Sequence, residues 1–218
     1  AVLGVTYSVE YRRRLQVREI RAAQLEASLA TARLDALKMQ LQPHFLFNTL
    51  HSIGGLVRQS RSNEAVEVIA GLSDLLRYSL DHADEQLVTL DRELAILDRY
   101  LAIQKIRFPD RLAVTIDVPD ELRRAQVPAM ILQPLAENAV RHGIEPSTGP
   151  GTIDVRARRA GSRIAIEIFN TGPKLREGES GIGLANTRAR LTQLYGANHA
   201  LVLRNQGEGV LAILEVPG

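Results

Sequence analysis

Leu41-Gln42-Pro43-His44-Phe45-Leu46-Phe47-Asn48-Thr49-Leu50-His51-Ser52-Ile53 stands where one helical pattern ends and another begins, and it holds the only proline of the first hundred residues. A proline inside a helix removes a backbone donor and collides with the carbonyl four residues back, at about 3 kcal/mol, so a kink or local unwinding is predicted at Pro43. His44 then stands on a bent turn. An imidazole with an ordinary pKa of about 6.5 is largely neutral at pH 7 and keeps a free ring-nitrogen lone pair able to act as a nucleophile. Taken alone, a histidine is more simply a helix-packing residue; its surroundings decide between the two readings.

On the amino-terminal side, Leu15, Ala22, Leu25, Leu29, Ala32, Ala36 and Met39 keep heptad spacing, interrupted by Arg18. On the other side a periodic segment runs from Glu64 to about Leu80, with Ser62 or Asn63 as the expected N-cap. Two such helices make a hairpin, and pairing with a second copy would give a dimeric four-helix bundle. The alternative is a monomeric hairpin packed on the C-terminal half.

Ala1 to Val9 is apolar but far short of the roughly 20 residues that span a bilayer. Arg12, Arg13, Arg14, Arg18 and Arg21 follow, as at the cytoplasmic end of a membrane helix. The expectation is the cytoplasmic portion of an inner- or plasma-membrane protein, anchored through an absent N-terminal segment; a solvated helix face is the plainer alternative.

With 218 residues, 45% of them hydrophobic, the chain can hold one large domain or two small ones and is too apolar for disorder. It has no cysteine, which excludes disulfides and thiolate metal sites. A net charge of +2, with no basic stripe interleaved with aromatics, argues against direct nucleic-acid binding.

Thr89 opens a helical stretch through Leu94, Leu97, Leu101 and Gln104 that must end before Pro109. Leu112, Val114, Ile116 and Val118 alternate as a half-buried strand, and a helix is expected from Ala129 to His142, closed by Gly143. Two alternating runs, 152–158 and 163–169, meet at Ala160-Gly161-Ser162 as a hairpin. A helix from about Leu184 to Tyr195, stopped by Gly196, and strands 200–204 and 210–216 complete the chain. The expected fold class is α+β: a helical hairpin followed by a two-layer α/β sandwich with a mixed sheet. The expected division is 1–14 membrane-proximal, 15–88 coiled coil and dimerisation helices, 89–110 connector, and 111–218 the sandwich domain.

Three boxes give the chain a family resemblance. Gln42 to Leu50 resembles the phosphoacceptor box of the LytS-like sensor histidine kinases. Leu132-Gln133-Pro134-Leu135-Ala136-Glu137-Asn138-Ala139-Val140-Arg141-His142-Gly143 resembles their N box, and Gly181-Ile182-Gly183-Leu184-Ala185-Asn186-Thr187-Arg188-Ala189-Arg190-Leu191 their second glycine box. Three boxes in order are more specific than any one, and the resemblance covers about 30–216. It implies the sandwich shared by histidine kinases, gyrase-type ATPases and Hsp90-type chaperones. It further implies ATP and Mg²⁺ as cofactors, a homodimer, and transfer from His44 to an aspartate of a response-regulator receiver domain.

Phosphoryl transfer asks mainly for positioning and charge stabilisation. Mg²⁺ favours oxygen ligands and keeps several waters, which suits Asn138 as its one side-chain ligand. Glu137 would act as a base or hold a metal-bound water, and Arg141 and His142 would approach the phosphates. Gly181 and Gly183 lead into a helix whose amides and dipole favour an anion, with Leu184 and Asn186 following in the family's spacing; Arg188 would contact the phosphates or the lid. Where many relatives carry aspartate and x-Gly, this chain has Asn170-Thr171-Gly172; an asparagine oxygen can still accept from adenine, without a carboxylate's charge assistance. Residues 173–180 read as a short polar lid. Phe45 replaces the acidic residue that follows the phosphoacceptor in commoner kinases, leaving Asn48 or Glu137 to orient the imidazole. Two other readings stay open: a GHKL-type ATPase or serine kinase with a structural His44, and a non-catalytic ATP-sensing dimerisation module.

Overall fold

The computed structural model describes residues 43–82, 85–175 and 182–218, and for Pro43, His44, Leu80 and Ile182 the backbone alone. The chain divides into two compact units, 1–47 and 48–218. The heptad seam, the arginine cluster, the stretch that would show the kink expected at Pro43 and most of the expected lid lie outside the described residues.

Helix α1 (Pro43–Arg58) and helix α2 (Ser62–Asp81) form the hairpin. The junction is a Schellman motif: Ser60 takes φ +60°, its N–H donates to Val57 O at 3.0 Å, and Arg61 N–H donates to Leu56 O at 2.9 Å. This corrects the expected N-cap. The tight exit from α1 restarts the helix at once, leaving Ser62 and Asn63 inside it and Arg61 at the cap position with no side-chain cap. Arg61 instead pairs with Glu64, Nε to Oε1 at 2.6 Å and Nη2 to Oε2.

Strand β1 (Leu87–Thr89) leads into helix α3 (Leu90–Arg107), where Thr89 Oγ1 accepts the Arg92 N–H at 3.4 Å as the N-cap. Asp91 and Glu93 occupy the first turn and Lys105 and Arg107 the last, the arrangement that the helix dipole favours. Leu90, Leu94, Leu97 and Leu101 bury one stripe, and the helix stops at Phe108, before Pro109. α3 packs on α2, on the edge of the main sheet and on the helix that follows.

That sheet is built from β2 (Leu112–Asp117), β4 (Gly151–Ala160), β5 (Arg163–Thr171), β6 (Ala200–Gln206) and β7 (Gly209–Pro217), in the order β2-β4-β5-β7-β6. β2 runs parallel to β4, and the other neighbours are antiparallel. The mixed sheet is therefore as expected, and Ile153, Val155, Ile164, Ile166, Ile168, Leu214 and Val216 are its sealed centre. Helices α4 (Leu132–Ala139) and α5 (Ile182–Tyr195) pack on each other, and α4 packs on β5.

Two corrections fall near α4. The segment Gln126–Pro128 is a strand, β3, pairing antiparallel with β1; sequence reading missed both three-residue strands, because each is defined only by a partner about 40 residues away. The helix expected from Ala129 to His142 begins at Leu132, since Met130 turns to φ +55°. Gly143 does not close it: the chain continues as a π turn over Val140–Ile144, with Glu145 N–H donating to Val140 O at 2.9 Å. Among the described residues no helix is long and apolar enough to cross a membrane.

Candidate functional site

Glu137 and Asn138 lie on the last turn of α4, Arg141 and His142 on the π turn beyond it. Glu137 is buried, with Oε1 accepting from Gln133 Nε2 at 2.8 Å, while Asn138 is half-buried and Arg141 and His142 are exposed. Burial pushes the Glu137 carboxyl up to about 7, partly opposed by the Gln133 bond. Such a group can hold or release a proton near neutrality. Gln133 Oε1 is buried without a partner, a polar atom left over beside this carboxyl.

The π turn seats on the end of β5. A Cβ at Gly143 would collide with Asn170 Nδ2 and press on Thr171 O, and one at Gly172 would collide with the carbonyl of Gly143. Gly172 also holds φ +132°, a conformation that side chains avoid, so both positions need glycine for close backbone approach. Asn170 is buried at this junction, donating from Nδ2 to Thr171 O at 3.0 Å. The N box and the adenine-contacting box of the resemblance thus meet through Gly143. From the outer side, Arg111 Nη2 donates to Ile144 O at 3.1 Å and to Ser147 O, and Arg107 pairs with Glu145 at 2.7 Å.

Of the second glycine box, Gly181 lies outside the described residues. Gly183 stands on the first turn of α5, where amides lack helical acceptors. Leu184 is buried as a core residue, so any role toward a ligand would pass through its backbone, and Asn186 and Arg188 are exposed. Arg190, expected only as part of the box's spacing, turns away from the box and donates Nη1 to Ala129 O. His44 stands on the first turn of α1, in the other compact unit from Asn138. Asn48 is half-buried one turn along, its carbonyl accepting from Ser52 Oγ at 2.9 Å.

Sequence reading missed Glu93. Buried on α3, its Oε1 accepts the Met130 N–H at 2.6 Å, and its Oε2 accepts those of Ile131 at 2.9 Å and Leu132 at 3.1 Å. The available signal was an acid set among the buried stripe of Leu90, Leu94 and Leu97, where a carboxylate requires partners. Burial raises its pKa, opposed by the three amides and Arg190.

The donor set fits a magnesium nucleotide. Asn138 offers an amide oxygen on a helix, Asn170 a buried amide, and Gly183 a helix start; among the described residues no group of three His, Cys, Asp or Glu side chains forms a protein-only metal cage.

The histidine kinase family model matches residues 32–112. The chain is 35% identical over 191 residues to the sensor histidine kinase YesM of Bacillus subtilis (strain 168), covering 84% of this chain and 33% of that protein. It is 32% identical over 218 residues to the sensor protein LytS of Oceanobacillus iheyensis, covering 93% of this chain and 37% of that protein. The chain thus spans about a third of the length of these curated relatives. In fold it is similar to a solved bacterial phosphotransferase, with a TM-score of 0.55 at 12% identity over 83% of this chain and 96% of that one. With 32–35% identity to these relatives along most of its length, the chain belongs to the LytS-like sensor histidine kinases.

Proposed function

We propose that this chain is the kinase portion of a two-component sensor, in which a His44 ring nitrogen takes the γ-phosphoryl group of ATP and passes it to an aspartate of a response-regulator receiver domain. What supports the reading most is the junction at Gly143. It sets a proton-poised Glu137 and the amide of Asn138 on one short helix whose far end is locked against Asn170 and Gly172.

Asn138 would hold Mg²⁺, which supplies charge neutralisation at phosphate oxygens when bound. Glu137 would take a proton from the reacting imidazole or orient a water, and Asn48 would orient the ring. Arg141 and His142, both exposed at the π turn, are free to approach phosphates, with the amides at Gly181 and Gly183 and the Leu184 and Asn186 positions completing the cradle. Asn170 and Gly172 would face the base. Residues 15–88 would dimerise, 89–110 connect, and 111–218 bind ATP, downstream of a membrane sensor segment ahead of residue 1. Exposed Val57, Val66 and Ile69 on the hairpin favour a homodimer.

The test is incubation of the chain and of His44→Gln with γ-labelled ATP and Mg²⁺. Label lost in acid, kept in base and absent from the variant is the expected result. Acid-stable label would point to a serine kinase, and binding without label to an ATP-sensing module.

A further inference from the structure

Helix α4 has no cap of its own. Ile131 at its N-cap position is in helical conformation and makes no side-chain cap bond. The orphan amides of a helix start need acceptors, and here those of Met130, Ile131 and Leu132, the last of them the first residue of α4, are taken by one carboxylate, Glu93, 37 to 39 residues earlier on α3. The turn they belong to carries Met130 at φ +55°, a conformation that costs free energy and persists only where its surroundings hold it. On its other side the same turn is held by Arg190, from Nη1 to Ala129 O, and Arg190 lies within electrostatic reach of Glu93.

One short turn is thus gripped from two helices. α3 also packs along α2, with Arg99 reaching Asp74 at 3.0 Å, so it touches the hairpin at one face and the α4 turn at another. α5 begins at the second glycine box. A shift of α3 therefore cannot leave α4 in place without breaking three bonds to Glu93.

We propose that Glu93 is a positioning residue for the nucleotide site: together with Arg190 it fixes the 129–132 turn, so that α3 sets where α4 carries Glu137 and Asn138. The inference rests on the kinase reading above for what those two residues do. The mechanism is displacement rather than contact: a misplacement of about 1 Å in a reacting site costs about a hundredfold in rate. Gln at position 93 keeps the shape, but its amide NH₂ faces N–H groups, so at most one oxygen still accepts.

The experiment is a double-mutant cycle in the full chain with Glu93→Gln, Arg190→Gln and the pair, each shown folded by circular dichroism at the assay temperature. Two readouts are taken: the initial rate of His44 labelling at saturating ATP, and the affinity for trinitrophenyl-ATP. Each single variant is expected to lose roughly tenfold or more in rate, and the pair no more than the worse single, because both hold one turn. Folded variants within twofold of the parent in both readouts, or losses that multiply in the pair, would overturn the inference. A parent chain that never labels would instead overturn the kinase reading. The affinity cycle then decides the inference alone: a loss shared by the singles and not deepened in the pair supports it, and unchanged or multiplying affinities reject it.

Discussion

The hairpin and the sheet bury their apolar residues to very different degrees. Ile153, Ile164 and Ile166 of the sheet are 0% exposed, whereas Val66 of α2 is 65% exposed and Val57 of α1 57%. Both regions carry the apolar pattern their secondary structure requires, with period near two in the strands and three to four in the helices. The sheet finds cover within the chain, from α4 on β5 and from α3 on the edge strand β2. The hairpin is covered on one side by α3, and among the described residues Val57, Val66 and Ile69 of its other side are exposed.

The sheet side of this contrast breaks with the largest expected effect. Ile166→Ala, at the sealed centre, removes three carbons that no neighbour can replace and should destabilise by about 2–5 kcal/mol. Chemical denaturation of the chain measures it; a loss below 1 kcal/mol would mean the sheet is not the tight member of the pair.

A second effect concerns the charge that the sheet domain buries. The Glu137 carboxyl has a folded pKa of about 7, above its ordinary 4.5, so its protonated form is the one the fold prefers. The associated stability is fully present below the unfolded value and is lost as pH rises through about 7. The shift corresponds to roughly 3 kcal/mol at full ionisation. Glu137→Gln, which keeps an acceptor for Gln133, should therefore flatten the fall in melting temperature between pH 5 and pH 8. A parallel fall in parent and variant would show that Glu137 is not the group responsible.

The smallest effect on stability is expected where the hairpin is bare. Val66→Ser should change the unfolding free energy of the monomer by no more than about 0.5 kcal/mol, since little is buried there. Self-association, read by sedimentation across concentrations, should nonetheless weaken in that variant. Unchanged association would place the dimer contact elsewhere and sharpen the comparison differently.

Residue by residue, much of this architecture could be read in advance. Thr89 caps α3, Phe108 ends it before Pro109, and Ala160-Gly161-Ser162 turns the β4–β5 hairpin, because each signal is local: a hydroxyl, a ring and a turn act on their own neighbours. The same reading made Ser62 or Asn63 the N-cap of a helix that the Schellman exit from α1 starts one residue earlier, with Arg61 at the cap position, and it began α4 three residues early. It passed over β1 and β3 altogether, since three residues of strand have no pattern without their partner. At the candidate site, Glu137, Asn138, Asn170 and Gly172 were singled out by the spacing of the boxes, but Glu93 and the true partner of Arg190 were not.

Sequence alone therefore determined the kinds and order of the longer elements and the family, through periodicity, turn signals and three boxes in series. The tertiary structure alone decided that Gly143 is a backbone contact rather than a helix stop, that Glu137 titrates near neutrality, and that the cap of α4 comes from α3. Each of these depends on groups far apart in the chain meeting in a dry interior, where burial and unpaired donors, rather than neighbouring residues, set the free energy.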